Sequence, residues 1–325
     1  MTGNLTPSPP QPTDSRIVGS LVVPVYNEED MILPFLKKIE SVLVPTDLFV
    51  FEIIFVNDGS SDSTLEKLLN YDSKNFRIVI VDLSRNFGKE AALTAGLSNA
   101  SGNFVVPIDI DLQDPPELIS DMILKWQAGY EVVEGRRIDR STDSFLKRNL
   151  AKLYYLIHNS LSELKITGNV GDFRLMDRRV VEAVLSLPES QRFMKGLFSW
   201  VGFRTTTVDY VRDARTAGVT KFAPSKLFNL ALQGLTSFSI SPLRIWTYLG
   251  LVVSLFSISW AIFILLRSVI FGIDAPGYAS TIAAITILGG IQLIGIGILG
   301  EYLGRTYMEA KRRPSYIVRE MYRKP

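Results

Sequence analysis

Over the first two thirds of the chain, apolar runs of strand length alternate with segments of helical periodicity. Ile17 to Val25, Phe49 to Val56, Arg77 to Leu83 and Phe104 to Ile108 read as buried strands. Met31 to Val44, Thr64 to Tyr71 and Glu90 to Asn99 carry helical spacing between them. Repeated strand–helix units joined by short turns predict an α/β fold: a mostly parallel sheet with helices on both faces. Further on, Gly129 to Gly135 and Phe203 to Val211 read as strands and Val180 to Leu187 as a helix. Thr167 to Leu175, bracketed by glycines, reads as a turn carrying one acid, Asp172.

The last third has a different pattern. Ile245 to Leu266 and Ala275 to Gly300 contain no charged residue. Each matches the roughly 20 residues needed to span a bilayer. The linker Arg267 to Asp274 is too short for a domain, so the two spans predict a transmembrane hairpin. Lys311, Arg312, Arg313 and the basic tail behind them mark the C-terminal flank as cytoplasmic. Two spans then put the catalytic domain and both termini in the cytoplasm of a cell whose plasma membrane holds the hairpin. Gly289, Gly290, Gly295, Gly297 and Gly300 allow close helix approach, within the hairpin or in an oligomer. Asp143 to Leu164 is amphipathic, with Lys147, Arg148 and Lys152 among its apolar positions; it is a core helix or an interfacial one meeting phosphate headgroups. Lys226 to Ile240 leads directly into the membrane segment and reads as interfacial. The domain plan is a disordered tail over 1–15, a cytoplasmic catalytic domain over 16–225 and an interfacial helix over 226–242. Two transmembrane helices over 243–304 and a basic tail over 305–325 complete it.

Composition narrows the chemistry. The 325 residues carry a net charge of +2, too little to imply nucleic acid as a partner. There is no Cys and one His, His158, which removes thiolate nucleophiles, Cys or His metal clusters and, with them, most triad chemistry. His158 reads as a packing residue. Carboxylates, Lys, Arg and hydroxyls remain. No Gly-x-Gly-x-x-Gly or Walker A pattern is present, so neither a dinucleotide site nor a P-loop is indicated.

The polar clusters fall where predicted strands end, the ligand edge of an open α/β sheet. The fourth strand delivers Asp109, Asp111, Gln113 and Asp114 just before Pro115 and Pro116. In an extended segment, alternation puts Asp109, Asp111 and Gln113 on one face. Three oxygen-bearing side chains there suit a hard cation, Mg²⁺ or Mn²⁺. Asp114 reads as a cap for the next helix. Asn57 to Asp62 carries turn chemistry, with Asp58 set apart because it abuts its strand and faces the same edge.

These clusters resemble glycosyltransferase family 2, nucleotide-sugar transferases with a GT-A fold. The matching runs are Pro24-Val25-Tyr26-Asn27-Glu28, Val56-Asn57-Asp58-Gly59-Ser60, Asn86-Phe87-Gly88-Lys89 and Asp109-Ile110-Asp111-Leu112-Gln113-Asp114-Pro115-Pro116. With Gly171-Asp172-Phe173-Arg174-Leu175 and the two spans, they look like the polyprenyl-phosphate branch, of bactoprenol glucosyltransferase type and similar to dolichol-phosphate mannosyltransferases. The family's basic loop commonly has an aromatic residue where Thr216 stands here.

The resemblance implies roles. Pro24, Tyr26, Glu28 and Asp58 would hold the nucleoside, with Lys89 beside it. Asp109 would contact ribose or sugar, and Asp111 and Gln113 would ligate the metal bridging the diphosphate. Arg136, Arg137, Arg148 and Lys152 are candidates for the acceptor lipid phosphate, and Arg215 and Lys221 for a loop closing over the donor. Asp172 is expected near the reacting centre. The implied activity is inverting transfer of a hexose from a nucleotide sugar, UDP-glucose favoured over GDP-mannose, to a membrane-held polyprenyl phosphate. The resemblance also suggests a homo-oligomer, a tetramer. Two other readings compete. A processive polysaccharide synthase would carry Gln-x-x-Arg-Trp and more spans, which Gln191-Arg192-Phe193-Met194-Lys195 does not match. A non-catalytic, membrane-anchored nucleotide-sugar-binding subunit would not need its acidic and basic clusters intact. Spans without internal charge offer no path for a transporter.

Overall fold

A computed structural model describes residues 16–46, 48–138, 170–189, 192, 194–211, 241–271 and 277–324. The expected helices over 143–164 and 226–240, the loop carrying Arg215 and Lys221, and His158 lie outside the described residues.

The first strands form as their sequences dictate. β1 (Ile17–Val25), β2 (Phe49–Asn57), β3 (Arg77–Leu83) and β4 (Phe104–Pro107) run parallel in the spatial order β4-β1-β2-β3. They are continuous apolar runs because both faces are covered. Leu21 and Val23 of β1 face one core layer with Phe55, Ile80 and Val106. Helices α1 (Ile32–Val42) and α4 (Leu118–Gln127) cover that layer through Phe35, Leu36, Ile39, Ile119 and Met122. Val22 points the other way and joins Ile54, Val56, Val79 and Val81 under α3 (Lys89–Asn99). Each fully buried aliphatic or aromatic side chain contributes roughly 1.5–3 kcal/mol relative to exposure. Gly96 lets α3 sit directly on β1, because a Cβ there would collide with the Val22 side chain. Helix α2 (Thr64–Asn70) connects β2 to β3.

Beyond β4 the sheet turns antiparallel. β6 (Val170–Asp177) pairs antiparallel with β4 and with β5 (Val132–Arg137), and β7 (Thr205–Tyr210) lies parallel to β5 at the edge. Short helices α5 (Arg178–Ser186) and α6 (Met194–Trp200) follow β6. In the segment Thr167 to Leu175, read as a turn, the described residues from Val170 onward are strand. Its alternation was hidden by polar residues at Asp172 and Arg174, both at or beside an internal site rather than facing water.

The C-terminal residues correct the expectation of a basic tail. Helix α7 (Ser241–Phe271) extends beyond both ends of its expected span, and helix α8 (Tyr278–Ala310) begins inside its expected span and continues past its end. Within α8, Ile287–Ala310 has a mean hydropathy of 1.5 and is long and apolar enough to cross a membrane. The apolar stretch Trp246–Trp260 of α7 is shorter. Gly295 packs against the Trp246 indole, whereas Gly289, Gly290, Gly297 and Gly300 have no neighbour within 4 Å of where a Cβ would stand. Gly295 thus serves the helix pair. After α8, β8 (Val318–Lys324) returns to the sheet and pairs antiparallel with β3, completing eight strands in the order β7-β5-β6-β4-β1-β2-β3-β8. Arg319, Arg323 and Lys324 are basic, as an edge strand's solvent side permits. Lys324 Nζ donates to the carbonyls of Leu69 and Tyr71.

Two ends of the sheet use polar groups differently. At the N-terminal end, buried Glu52 accepts from Ser20 Oγ at 2.6 Å, Ser101 N–H at 2.6 Å and Ser101 Oγ at 2.9 Å, closing the structure. At the other end, the register sets Val25 against Asn57, Asn57 against Asp82 and Val22 against Pro107. The ends of β1, β2 and β3 are level there, β4 stops short of them, and their turns share one edge.

Removing residues 318–325 bares the β3 edge and frees Lys324's acceptors. The midpoint of thermal unfolding in detergent is expected to fall by about 5 °C or more; an unchanged midpoint would contradict the pairing of β8 with β3.

Candidate active site

The shared edge is built from turns that hold one another. Asn27, with a left-handed φ of 52°, accepts from Ser61 N–H at 2.8 Å and donates its own N–H to Ser60 Oγ at 3.0 Å. Glu28 N–H donates to Thr64 Oγ1 at 2.9 Å. The turn after β1 is thereby clipped to the turn after β2, leaving the Tyr26 ring 42% exposed at the edge. Gly59, at φ 67°, lies so close to the Arg85 and Asn86 backbone that no Cβ fits. Asp58 beside it is buried and accepts from Phe87 N–H at 2.7 Å and Gly88 N–H at 2.9 Å. Burial raises the Asp58 pKa against those two bonds and the nearby Arg85, which lower it. In this structure Asp58 organises the turn that leads into Lys89.

Lys89 opens α3 and meets two acids. Its Nζ lies 2.7 Å from Asp109 Oδ1, 2.9 Å from Asp109 Oδ2 and 2.9 Å from Asp172 Oδ2. Burial opposes its charge, but Asp172 and Asp109 outweigh that and hold the ammonium well above the ordinary lysine range. Asp172 Oδ1 is buried without a hydrogen-bond partner among the described residues. Burial alone would raise the Asp172 pKa; Lys89, Lys195 and Arg174 override it and bring it to about 2. Arg174, buried one pleat further along β6, pairs with Glu134 at 3.0 Å, donates to Gly171 O at 2.8 Å and lies 4.3 Å over the Phe198 ring. Glu90 has the opposite fate. Burial and then the Asp172 charge push it up to about 7.

The expected alternation at Asp109, Asp111 and Gln113 does not occur. β4 ends at Pro107, and Leu112 takes a left-handed φ of 54°, so the segment is a turn. Its own hydrogen bond explains the shape: Gln113 N–H donates to Asp111 Oδ1 at 3.2 Å, as aspartates do in tight turns. Asp109 leans to Lys89, and Asp111 and Gln113 stay in one turn, with Gln113 buried. Asp114 is not a helix cap. It is buried and accepts from the Tyr210 hydroxyl, while the helix starts four residues later at Leu118. Pro115 and Pro116 precede the helix and supply carbonyls to Leu118 and Ile119 N–H.

Pro24, Lys89, Asp109, Asp114 and Asp172 line one cleft, with Leu93, Pro107 and Phe173 as its apolar wall. The structure thus brings together residues from β1, α3, the turn after β4, and β6. Arg136 is not among them; it is held on β5 by a bidentate pair with Asp209 at 2.6 and 2.8 Å. Arg137 ends the same strand. Arg148, Lys152, Arg215 and Lys221 lie outside the described residues. Sequence reasoning gave no site role to Asp114, which it read as a helix cap, nor to Glu90, Arg174 or Lys195. Asp114 and Arg174 had a signal in the family-like runs that contain them.

Among the described residues no three acidic or His side chains converge on a cation. Lys89 already neutralises Asp109, which leaves Asp111 as the turn's hard anionic donor beside the Gln113 amide. One carboxylate and an amide fit Mg²⁺ or Mn²⁺ when substrate phosphates and water complete the shell.

A mostly parallel α/β sheet with an acidic cleft at the C-terminal edge of its parallel strands is a GT-A-like arrangement, and the chain belongs to glycosyltransferase family 2, which it matches over residues 20–185. The helix pair matches the GtrB C-terminal hairpin over residues 241–306. The particular type follows from whole-chain relatives. The chain is 51% identical over 307 residues to the SfII prophage-derived bactoprenol glucosyl transferase of Shigella flexneri, covering 94% of this chain and 98% of that one. It is 52% identical over 303 residues to the prophage bactoprenol glucosyl transferase homolog of Escherichia coli strain K12, covering 93% and 98%. Among solved structures, glucosyl-3-phosphoglycerate synthase from Mycobacterium tuberculosis, in complex with Mn²⁺, UDP and phosphoglyceric acid, is a distant likeness: 20% identity, TM-score 0.46, covering 68% of this chain and 76% of that one.

Glu90 gives the site a pH signature. Its ordinary value is 4.5 and its folded value is about 7, so the folded state holds the proton more tightly. The stability this gives is complete below 4.5 and is lost as pH rises through about 7. The wild-type thermal midpoint is expected to fall across that window, and Glu90→Gln to flatten the fall. Parallel curves for the two proteins would show that Glu90 is not so perturbed.

Proposed function

We propose that the protein transfers glucose from UDP-glucose to a polyprenyl phosphate, with inversion, at the cytoplasmic face of the membrane. The observation that carries this reading is identity of about half over nearly the whole chain, catalytic domain and hairpin together, to bactoprenol glucosyl transferases. The cleft chemistry is compatible with it at each step.

The donor would lie along the row of turns, its nucleoside against Pro24, Tyr26, Glu28 and the turn that Asp58 organises. Asp111 and Gln113 would hold Mg²⁺ or Mn²⁺, which when bound supplies charge neutralisation to the leaving diphosphate. Asp109, fixed by Lys89, would orient the ribose or the sugar. The acceptor is a phosphate monoester whose second pKa is about 6, so near neutral pH it already presents an oxyanion. Its oxygen forms the new bond to the anomeric carbon as the bond to the UDP oxygen breaks and UDP departs with that electron pair. No proton needs to be removed. Asp172 suits this, because a carboxylate with a pKa of about 2 is a weak base but a permanent negative charge. Its role is electrostatic and positional: to stand beside the positive charge that develops on the sugar and to hold Lys89 in place. Arg136, Arg137, Arg148 and Lys152 remain the candidates for the acceptor phosphate, with Arg136 first having to leave Asp209. Arg215 and Lys221 remain the candidates for closing over the donor.

The return of β8 to β3 supports the two-span topology. The chain leaves the sheet, passes through α7 and α8 and comes back to the same sheet, as two crossings of a bilayer would require. The exposed apolar side chains of both, among them Leu255, Phe256, Ile287 and Leu293, suit lipid contact.

The test is transfer from radiolabelled UDP-glucose to a short polyprenyl phosphate by the purified chain. Labelled lipid is expected with Mg²⁺ or Mn²⁺ and none in EDTA. GDP-mannose as the better donor would overturn the choice of sugar, and full activity in EDTA the metal. Asp172→Asn is expected to lose about 100-fold or more at every pH from about 6 to 9. A mutant rate that climbs to wild type at high pH would make Asp172 a general base instead.

A further inference from the structure

The turn that delivers Lys89 to the cleft is held from two sides. Asp58 grips its far end through Phe87 and Gly88 N–H. Its near end is held by the strand that comes back from the hairpin. Arg319 Nη2 donates to Ser84 O at 2.8 Å, and Ser84 N–H donates to Ile317 O at 2.9 Å. Arg319 Nη1 lies 3.3 Å from Asp82 Oδ2, and Asp82 is buried with its other oxygen accepting from Asn57 Nδ2 at 2.7 Å. One guanidinium therefore joins β8 to the ends of β2 and β3 and to the first residue of the turn. Between the two grips, the Arg85 guanidinium stacks 4.0 Å from the Phe87 ring centroid and donates to Asn86 O at 2.8 Å, contacts that tie the middle of the turn together.

We propose that Arg319 is a positioning residue for the donor half of the site: it fixes the turn Ser84–Gly88, and through it Lys89, to the chain segment that follows the membrane hairpin. The inference rests on the transferase reading above. The donor site is then completed by residues on both sides of the hairpin in sequence. A displacement of β8 reaches Lys89 through Ser84 and Gly88 without passing through the core.

A merely structural role predicts something different. A less stable enzyme has a smaller folded fraction, which lowers the apparent kcat and leaves KM for either substrate alone. A displaced turn raises KM for the donor and spares the acceptor. Lys324 provides the control, since it anchors the same strand to Leu69 and Tyr71 and touches nothing in the turn.

The experiment measures kcat and both KM values for the full chain bearing Arg319→Ala, Arg319→Lys or Lys324→Ala, with UDP binding by calorimetry alongside. Arg319→Ala is expected to raise the donor KM and weaken UDP binding about tenfold, with the acceptor KM within about twofold of wild type. Arg319→Lys, which keeps the charge beside Asp82 but not the forked geometry, is expected to fall between. Lys324→Ala is expected to leave the donor KM unchanged even where it lowers the thermal midpoint. An unchanged donor KM in Arg319→Ala, or an equal rise in Lys324→Ala, overturns the proposal. If the wild type binds UDP but transfers nothing, the transferase reading fails and the UDP affinities of the variants still decide the role of Arg319. If the wild type binds no UDP, both fall.

Discussion

The contact on which the cleft depends is the ammonium of Lys89 held between Asp109 and Asp172. Three carboxylates, Asp109, Asp114 and Asp172, line one small space whose wall is partly apolar. Without a cation among them, their like charges would repel one another and push the turns apart. Lys89 removes that conflict. It keeps Asp172 ionised despite burial and draws Asp109 across from a turn on a different strand. The conflict it does not remove shows at Glu90, the next residue, which retains its proton up to about pH 7.

Much of the remaining structure places that one nitrogen. Lys89 must begin a helix at the level of the strand ends, and α3 reaches that depth because Gly96 admits the Val22 side chain. The turn before it is set by Asp58 on one side and by β8 on the other. Asp172 is set by β6, whose antiparallel direction brings a residue from late in the chain to the C-terminal edge of parallel strands. Arg174 and Glu134 join that strand to β5 as a buried pair packed on Phe198, and the Arg174 charge also reaches Asp172. A buried pair of this kind adds little net stability, but breaking it leaves a lone buried charge.

How far the sequence alone reached follows from the same physics. The parallel core was legible because strands covered on both faces are continuously apolar, and the ligand edge was legible because strand ends carry the polar clusters. The two C-terminal helices were legible from long stretches without charge. The sequence pattern misled where tertiary contacts decide. Asp172 and Arg174 break the apolar alternation of β6 because they serve an internal site, so the strand read as a turn. Asp111 bends its own segment by accepting from Gln113 N–H, which no periodicity reveals. Asp114 stood in a capping context, yet its partner, Tyr210, is far along the chain on the last strand of the other half-sheet. β8 is basic and short, and basic edge strands look like tails until their partner strand is known.

The central claim is that Lys89 and Asp172 act as one unit. A double-mutant cycle on kcat/KM for glycosyl transfer, using Lys89→Met, Asp172→Asn and the pair, tests it most directly. Groups that act as a unit are non-additive, so each single substitution is expected to lose about 100-fold or more, and the double no more than the worse single. Losses that multiply in the double mutant would mean that the two residues act independently, and that the ion pair is not the element organising the cleft.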